Sequence, residues 1–178
     1  MSRAPSRFTK AAEFPSRASL PALMLLGLDI GVSVVKASLF SEDGASVVAS
    51  LPQPLQSSRP DWMEKDAEVL WQACCTVVRE VLAKVDPAEV EALGICACGN
   101  GCVLLDAQGE VLRPVIFSND TRAASIARDA ANSPSRARVF AKTRQALYPG
   151  QTAVLLQWIR DNEHSVYSRI DRVLLVKD

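Results

Sequence analysis

The chain has 178 residues, 48% of them hydrophobic and 22% charged, and its 20 basic side chains balance 20 acidic ones. This length and composition suffice for one globular domain with a sizeable core. A formal net charge of zero lacks the basic surplus typical of nucleic-acid-binding proteins. No apolar run reaches the roughly 18 residues that can span a bilayer. We therefore expect neither nucleic acid nor a membrane as a partner.

The first 21 residues differ from the rest of the sequence. They carry four basic side chains against one acid, among scattered Ser, Ala and Pro, which is typical of a disordered leader. Met24 lies just before the first strand pattern, so a misassigned start is the alternative. Residues 22–178 are expected to form the domain. Five cysteines, an odd number, without a secretion signal favour a reducing, cytoplasmic setting.

Alternation and turn residues predict a three-stranded meander at the start of the domain. Its strands are predicted at 22–30, 34–40 and 45–51, with a hairpin turn at 41–44. A Pro-containing loop follows, and Asp66 is predicted to cap a helix that runs to about residue 84. The predicted core face of this helix comprises Leu70, Trp71, Cys74, Cys75, Val78, Val81 and Leu82.

The second half predicts shorter elements around one strongly apolar strand. That strand, 90–98, is expected to be central and to bury Cys96 and Cys98 as small hydrophobic residues. Ser118 or Asn119 is predicted to cap a helix that reaches residue 131. The remaining predicted elements are a hairpin around 106–109, strands at 115–117 and 173–176, and helices at 137–147 and 152–162.

This element order indicates an α/β fold with a mixed β-sheet flanked by helices. It suits the ribonuclease-H-like half of an actin-type ATPase. Periodicity alone does not separate that fold from other mixed α/β folds.

The turn between the first two strands carries groups suited to phosphate. Gly31 allows a ligand to approach the backbone closely, because it has no Cβ. The hydroxyl of Ser33, the ammonium of Lys36 and turn N–H groups can donate to phosphate oxygens. Asp29 can hold Mg²⁺ directly or through water. The alternatives are a turn carboxylate bonded to its own backbone and an ordinary exposed strand face.

Four blocks resemble the N-terminal domain of the FGGY carbohydrate kinases, in the family's order. They lie at 26–40, 61–71, 93–123 and 143–159, and the similarity covers roughly residues 25–178. Hexokinases, actins and chaperone ATPases share a turn like the first block, whereas the other three make the resemblance specific. It implies the actin-type ATPase fold and ATP-dependent, Mg²⁺-assisted phosphorylation of a sugar.

The resemblance also implies roles for individual residues. Asp29, Gly31, Ser33 and Lys36 match the family's phosphate and Mg²⁺ hairpin, where Val32 replaces a small or hydroxyl residue. Gly99 and Asn100 stand where glycerol kinases place an Arg-Glu pair, which disfavours glycerol. The Gly-Asn-Gly turn and the Asn-Asp-x-Arg block look more like those of ketopentose kinases, and the fourth block is similar to that of L-xylulose kinases, so a ketopentose such as xylulose or L-xylulose is implied. Asp120 is implied to accept from two sugar hydroxyls, with a helix-dipole role as its alternative. Arg122 pairs with Asp120 or with substrate.

In the family, the general base and the nucleotide-binding lobe lie beyond the position of residue 178. The resemblance therefore implies an incomplete kinase with no catalytic base in this chain. The alternative is a non-catalytic sugar-binding or interaction remnant. A third reading, another actin-fold ATPase, leaves the blocks at 61–71 and 93–123 unexplained. A small-molecule sugar is the expected partner, and a homodimer with a second copy stays open.

Overall fold

The computed structural model describes residues 24–41, 44, 46–54 and 59–178. The predicted leader and part of the first hairpin turn lie outside these residues. The predicted meander is confirmed. Its strands are β1 (Met24–Ile30), β2 (Val34–Ser41) and β3 (Ser46–Pro52), and β2 pairs antiparallel with both β1 and β3. Alternate residues of each strand are buried on one face of the sheet. Among the described residues, no helix is both long and apolar enough to cross a membrane.

A two-residue strand, β4 (Glu64–Lys65), leads into α1 (Ala67–Leu82), which packs mainly on β2 and β3. The predicted cap is confirmed, since the Asp66 side chain accepts from the N–H groups of Glu68 and Val69. The prediction that Trp71 faces the core is wrong, because it is 62% exposed. The buried stripe of α1 consists of Leu70, Ala73, Cys74, Val77 and Val81.

After a 3₁₀ turn (Pro87–Glu89), β5 (Val90–Ala97) pairs parallel with β1 and completes the order β3-β2-β1-β5. β5 was predicted to be central and buried, and that prediction is wrong for the described sheet. β5 lies at its edge, and Leu93, Ile95 and Cys96 are exposed. The apolar run predicted the strand correctly. α1, however, packs mainly on β2 and β3 at the opposite edge of the sheet and does not cover β5.

The second half packs around its own apolar cluster. Its elements are β6 (Val103–Leu105), β7 (Val115–Ile116), α2 (Ala124–Ala131), α3 (Arg136–Thr143), α4 (Thr152–Asn162), α5 (His164–Tyr167) and β8 (Arg172–Leu174). β7 pairs with β4, and β8 with β6, both antiparallel. The cluster buries Ile116, Leu155 and Ile159 completely.

One predicted helix start in this half is wrong. Ser118 and Asn119 form a turn, closed by the N–H of Asp120 donating to the carbonyl of Phe117 at 3.0 Å. α2 begins only at Ala124 and has no side-chain cap. The bounds predicted for α4 are confirmed.

Candidate phosphate and sugar site

The two turns singled out in the sequence follow strands that lie side by side. β1 and β5 run parallel, with Asp29 opposite Cys96 and Ile30 opposite Ala97. The N–H of Cys98 donates to the carbonyl of Ile30 at 3.2 Å, so the pairing continues to the point where both strands end. Ligands of open α/β sheets bind at the carboxyl ends of parallel strands. The turns after β1 and β5 therefore share one edge of the sheet.

A backbone hydrogen bond within the β1–β2 turn closes it. The N–H of Gly31 donates to the carbonyl of Val34 at 3.1 Å, and a Cβ at residue 31 would lie 2.7 Å from that oxygen. The tight turn therefore requires glycine here. Among the described residues, no acceptor pairs with the N–H groups of Val32 and Ser33, and Ser33 is exposed. These two N–H groups and the Ser33 hydroxyl are the donors that the turn offers an anion.

Asp29 and Lys36 face each other across the β1–β2 ladder, and both are exposed. Within the described part of the chain, neither side chain forms an ion pair. The same residues contain no group of three or more His, Cys, Asp or Glu that could hold a metal ion unaided. Mg²⁺ typically takes one or two carboxylates together with waters and substrate phosphates. An exposed, unpaired Asp29 beside anion donors fits that mode of binding.

The turn after β5 has a backbone that few residues tolerate. Asn100 and Gly101 have positive φ angles of 60° and 80°. A Cβ at Gly101 would lie 2.3 Å from the carbonyl oxygen of Ile116, whereas asparagine is among the residues that adopt the left-handed region most readily. Gly99 is exposed and Asn100 is partly buried. The turn thus places one amide side chain at the end of β5.

The segment that starts α4 clamps this turn. The N–H of Gly101 donates to the carbonyl of Gly150 at 3.0 Å, and the hydroxyl of Thr152 donates to the carbonyl of Gly101 at 2.7 Å. A Cβ at Gly150 would lie only 1.8 Å from the carbonyl oxygen of Ser118. The turns at 99–101, 118–120 and 149–151 therefore meet, so residues of the third and fourth sequence blocks are in contact.

Asp120 lies inside this junction, and its side chain is completely buried. One carboxylate oxygen accepts from the N–H of Met63 at 2.7 Å and from Nη2 of Arg122 at 2.8 Å. The other accepts from the backbone N–H and Nε of Arg122, both at 2.9 Å. Both oxygens are thus engaged by protein donors in this structure. Direct contact between Asp120 and a sugar stays a prediction. Of the two partners predicted for Arg122, Asp120 or substrate, the structure shows Asp120.

Arg122 is the centre of a larger buried network. Its Nη2 also lies 2.8 Å from Glu64, which pairs in turn with Arg113, and Arg113 also pairs with Glu163. Burial acts to lower the pKa of Arg122, but the hydrogen bonds and charges of Asp120 and Glu64 outweigh it and raise that pKa. The network ties β4, the turn before α2 and the end of α4 together.

Two tryptophans enclose the Arg122 guanidinium. Its carbon lies 3.9 Å from the ring centroid of Trp62 and 5.3 Å from that of Trp158. The two rings meet edge to face, with centroids 5.5 Å apart and an interplanar angle of 86°. Stacking of arginine on aromatic faces stabilises the buried charge. The junction behind the turn at 99–101 therefore contains a charged side chain that is buried and enclosed by aromatic rings.

The cysteines near the site differ in burial. Burial is the largest cause that raises the pKa of Cys102, to about 12, and it also raises that of Cys98. Cys96 is exposed, contrary to the prediction that it is buried on its strand. It lies in register with Asp29 on the parallel neighbour.

Two features of the site were missed in the sequence. Lys65 is buried beneath the β1–β2 turn, and Glu64 joins the arginine network. Both lie on β4, a strand of only two residues whose pairing with Val115 and Ile116 spans about 50 positions. The polar run at 64–66 carries no local signal for burial, so only long-range pairing reveals it.

Comparison with known proteins places this arrangement in a family. Residues 24–178 match the model of the FGGY family of carbohydrate kinases, N-terminal domain. A xylulose kinase of Klebsiella pneumoniae is 40% identical over 157 residues, which cover 87% of this chain and 32% of that protein. An L-xylulose/3-keto-L-gulonate kinase of Escherichia coli is 35% identical over 156 residues, covering 86% of this chain and 31% of that protein.

Solved structures agree with the sequence relatives. A structure described as a "xyloylose kinase" from Brucella ovis superposes with a TM-score of 0.79 at 36% identity, covering 87% of this chain and 32% of that one. A xylulose kinase from Rhodospirillum rubrum gives a TM-score of 0.79 at 27% identity, covering 87% of this chain and 32% of that one. The chain spans about a third of the length of these relatives. It has the actin-like ATPase fold of the sugar kinases and belongs to the FGGY family of carbohydrate kinases.

Proposed function

We propose that this chain forms the phosphate-binding and sugar-binding wall of an ATP-dependent carbohydrate kinase. The reaction would transfer the γ-phosphoryl group of ATP to a hydroxyl of a ketopentose, xylulose or L-xylulose, in the cytoplasm. Mg²⁺ would neutralise phosphate charge during that transfer. Asp29 would hold the ion, and the N–H groups of Val32 and Ser33, the Ser33 hydroxyl and Lys36 would orient the phosphate.

The observation that carries this proposal is the adjacency of the two turns at the ends of β1 and β5. Phosphoryl transfer is mostly positioning and electrostatic stabilisation, so the donor phosphate and the acceptor hydroxyl must be held side by side. The turn after β1 offers donors to phosphate, and the turn after β5 offers the Asn100 amide to a sugar hydroxyl. Neighbouring parallel strands bring both ligands to one edge of the sheet.

The role that we propose for Asp120 differs from the direct sugar contact predicted from the sequence. Its four hydrogen bonds hold the loop before α2 against Met63 and Arg122. We infer that it shapes the sugar site by fixing the junction at 118–120, and that a sugar reaches its carboxylate only if Arg122 moves away. Gly99 and Asn100 are then the residues of this chain that meet the sugar first.

The experiment grafts residues 24–178 onto the remaining two thirds of the Klebsiella pneumoniae xylulose kinase, in place of the matching third. Sugar-dependent ADP formation is measured with D-xylulose, L-xylulose and glycerol. We expect activity with a ketopentose. Asp29→Asn should abolish turnover, whereas Asp129→Asn, a matched change at an exposed position of α2, should not.

A graft that folds, by circular dichroism and thermal unfolding, yet phosphorylates no sugar would contradict the proposal. So would full activity of Asp29→Asn. The unmodified 178-residue chain is titrated with the same sugars by calorimetry in parallel. Sugar binding by this chain combined with an inactive graft would favour the non-catalytic sugar-binding alternative.

A further inference from the structure

Lys65 is a buried lysine to which neither the fold nor the proposed transfer has so far given a role. Only 1% of Lys65 is exposed, which places it among the large, fully buried residues of the described chain. Glu64, its neighbour on β4, joins the arginine network, while Lys65 extends toward the β1–β2 turn. A lysine this deeply buried is rare, because removing an ammonium group from water costs several kcal/mol unless a partner compensates.

The contacts of Lys65 compensate that cost only in part. Its Nζ donates to the carbonyl of Gln53 at 3.1 Å and to that of Val32 at 3.4 Å. Phe117 lies beside it, with the ring centroid 5.8 Å from Nζ. In the part of the chain that the structure describes, no carboxylate forms an ion pair with it. Burial lowers the pKa of Lys65, and the neighbouring Cys98 offsets this to a smaller extent.

The two carbonyls that accept from Lys65 lie in neighbouring segments of the meander. Val32 lies at the tip between β1 and β2, and Gln53 directly follows β3. The N–H of Gln53 donates to the carbonyl of Ser33 at 2.7 Å. Lys65 therefore bonds to one member of this link, Gln53, and to Val32, the residue before the other member. With Val32 O drawn toward Nζ, the tip of the turn is held from the core side. The N–H groups of Val32 and Ser33, which have no acceptor among the described residues, lie at this same tip.

We propose that Lys65 is a positioning residue for phosphate at the β1–β2 turn, fixing the turn from the core side and leaving its positive charge for a bound anion to complement. The proposal rests on the phosphate role given to this turn above. A rigid turn holds its N–H donors in place before the ligand arrives, which reduces the ordering cost of binding. A cation without a counter-ion favours an anion nearby, and a partly buried site screens that attraction little.

The test titrates the full 178-residue chain with inorganic pyrophosphate in the presence of Mg²⁺. Amide resonances of Gly31, Val32 and Ser33 report binding at the turn, and the side-chain Cε resonance of Lys65 reports on the lysine itself. We expect all four to shift together along one saturation curve. Lys65→Met should bind pyrophosphate roughly tenfold more weakly, while Lys142→Met, a matched change at an exposed position of α3, should bind within about twofold of the parent chain.

Lys65→Gln separates the two parts of the role. Glutamine keeps two N–H donors at the end of a slightly shorter side chain but carries no charge. If it restores the parent amide spectrum of the turn yet still binds pyrophosphate several-fold more weakly, the charge acts on the anion. Parent-like affinity in Lys65→Gln would overturn the electrostatic part. Parent-like affinity and turn spectrum in Lys65→Met would overturn the whole proposal.

Failure of the underlying phosphate site gives a different result. In that case the parent chain itself would show no pyrophosphate-dependent shift at Gly31, Val32 or Ser33. That outcome overturns the phosphate role of the turn, and the role of Lys65 with it. Unchanged binding in the Lys65 variants, with clear binding by the parent chain, overturns only the inference about Lys65.

Discussion

Replacing Asp120 by alanine should strongly destabilise the domain. The carboxylate accepts four hydrogen bonds, one from the N–H of Met63 and three from Arg122, and both charged side chains are completely buried. Alanine would leave Arg122 with Glu64 as its only anionic partner among the described residues. It would also leave the N–H of Met63 without an acceptor.

The size of the loss follows from these two effects. Removing one partner of a buried ion pair typically costs about 3–5 kcal/mol, because the other charge stays buried. An orphaned N–H costs about 1–3 kcal/mol by itself, but the two effects overlap and do not add fully. We therefore expect a decrease of about 4 kcal/mol in the free energy of unfolding. Domains of this size are stable by about 5–15 kcal/mol, so little reserve would remain.

Urea denaturation followed by circular dichroism measures this loss. Asp161→Ala is the control, because it removes a carboxylate whose pair with Arg160 is about half exposed and therefore contributes little to stability. A loss below about 1 kcal/mol for Asp120→Ala would refute the view that this carboxylate holds the junction. A drop in sugar affinity by Asp120→Ala is informative only if the variant remains folded under the assay conditions.

Two further predictions test the turns around the site. Gly101→Ala should lower the free energy of unfolding by about 2 kcal/mol or more, since its Cβ would meet a carbonyl at positive φ. Gly94→Ala, where a Cβ has no neighbour within 4 Å, should be close to neutral. Equal melting temperatures of the Gly101→Ala and Gly94→Ala variants would contradict this contrast. The N–H of Glu110, and to a smaller extent Arg169, lower the pKa of Asp106 in the folded chain. Its stabilising contribution is therefore present above its unfolded pKa, near 4, and is lost as the pH falls through the lower folded value. Asp106→Asn should flatten the fall in urea midpoint between pH 5 and 2 (roughly one unit above to two below the unfolded pKa), and an unchanged slope would count against it.

Local signals predicted the elements whose cause is itself local. Strand alternation gave the meander, the spacing of apolar residues gave the bounds of α4, and a carboxylate before a helical pattern gave the Asp66 cap. Each of these depends on residues fewer than about ten positions apart. The start of α2 failed because Ser118 and Asn119 close a turn, and the helix waits until Ala124.

Burial was predicted less well, because it depends on which elements cover a residue. β5 has the apolar run of a central strand, yet Leu93 and Ile95 are about half exposed at the edge of the described sheet. Trp71 follows Leu70 on α1 but points away from the stripe that meets β2 and β3. Lys65 shows the opposite case, since a polar run in the sequence becomes the interior of the fold. No local pattern carries this information.

The charged residues of the site fall into two groups. One group is exposed to a ligand, and the other is buried and holds the turns in place. Asp29 and Lys36 are exposed on the sheet and form no ion pair within the described residues, so a phosphate or a metal ion can reach them. Asp120 and Arg122 neutralise each other inside the junction and hold the backbone of the turns. Lys65 stands between these classes, because it supports the turn through two carbonyls, yet no carboxylate of the described residues pairs with it. A purely structural support at that position would be cheaper as a neutral side chain, since an unpaired buried ammonium costs stability. Beside the adjacency of the two turns, the charge that we propose for Lys65 is therefore a second physical reason to expect an anion on the outer side of the β1–β2 turn.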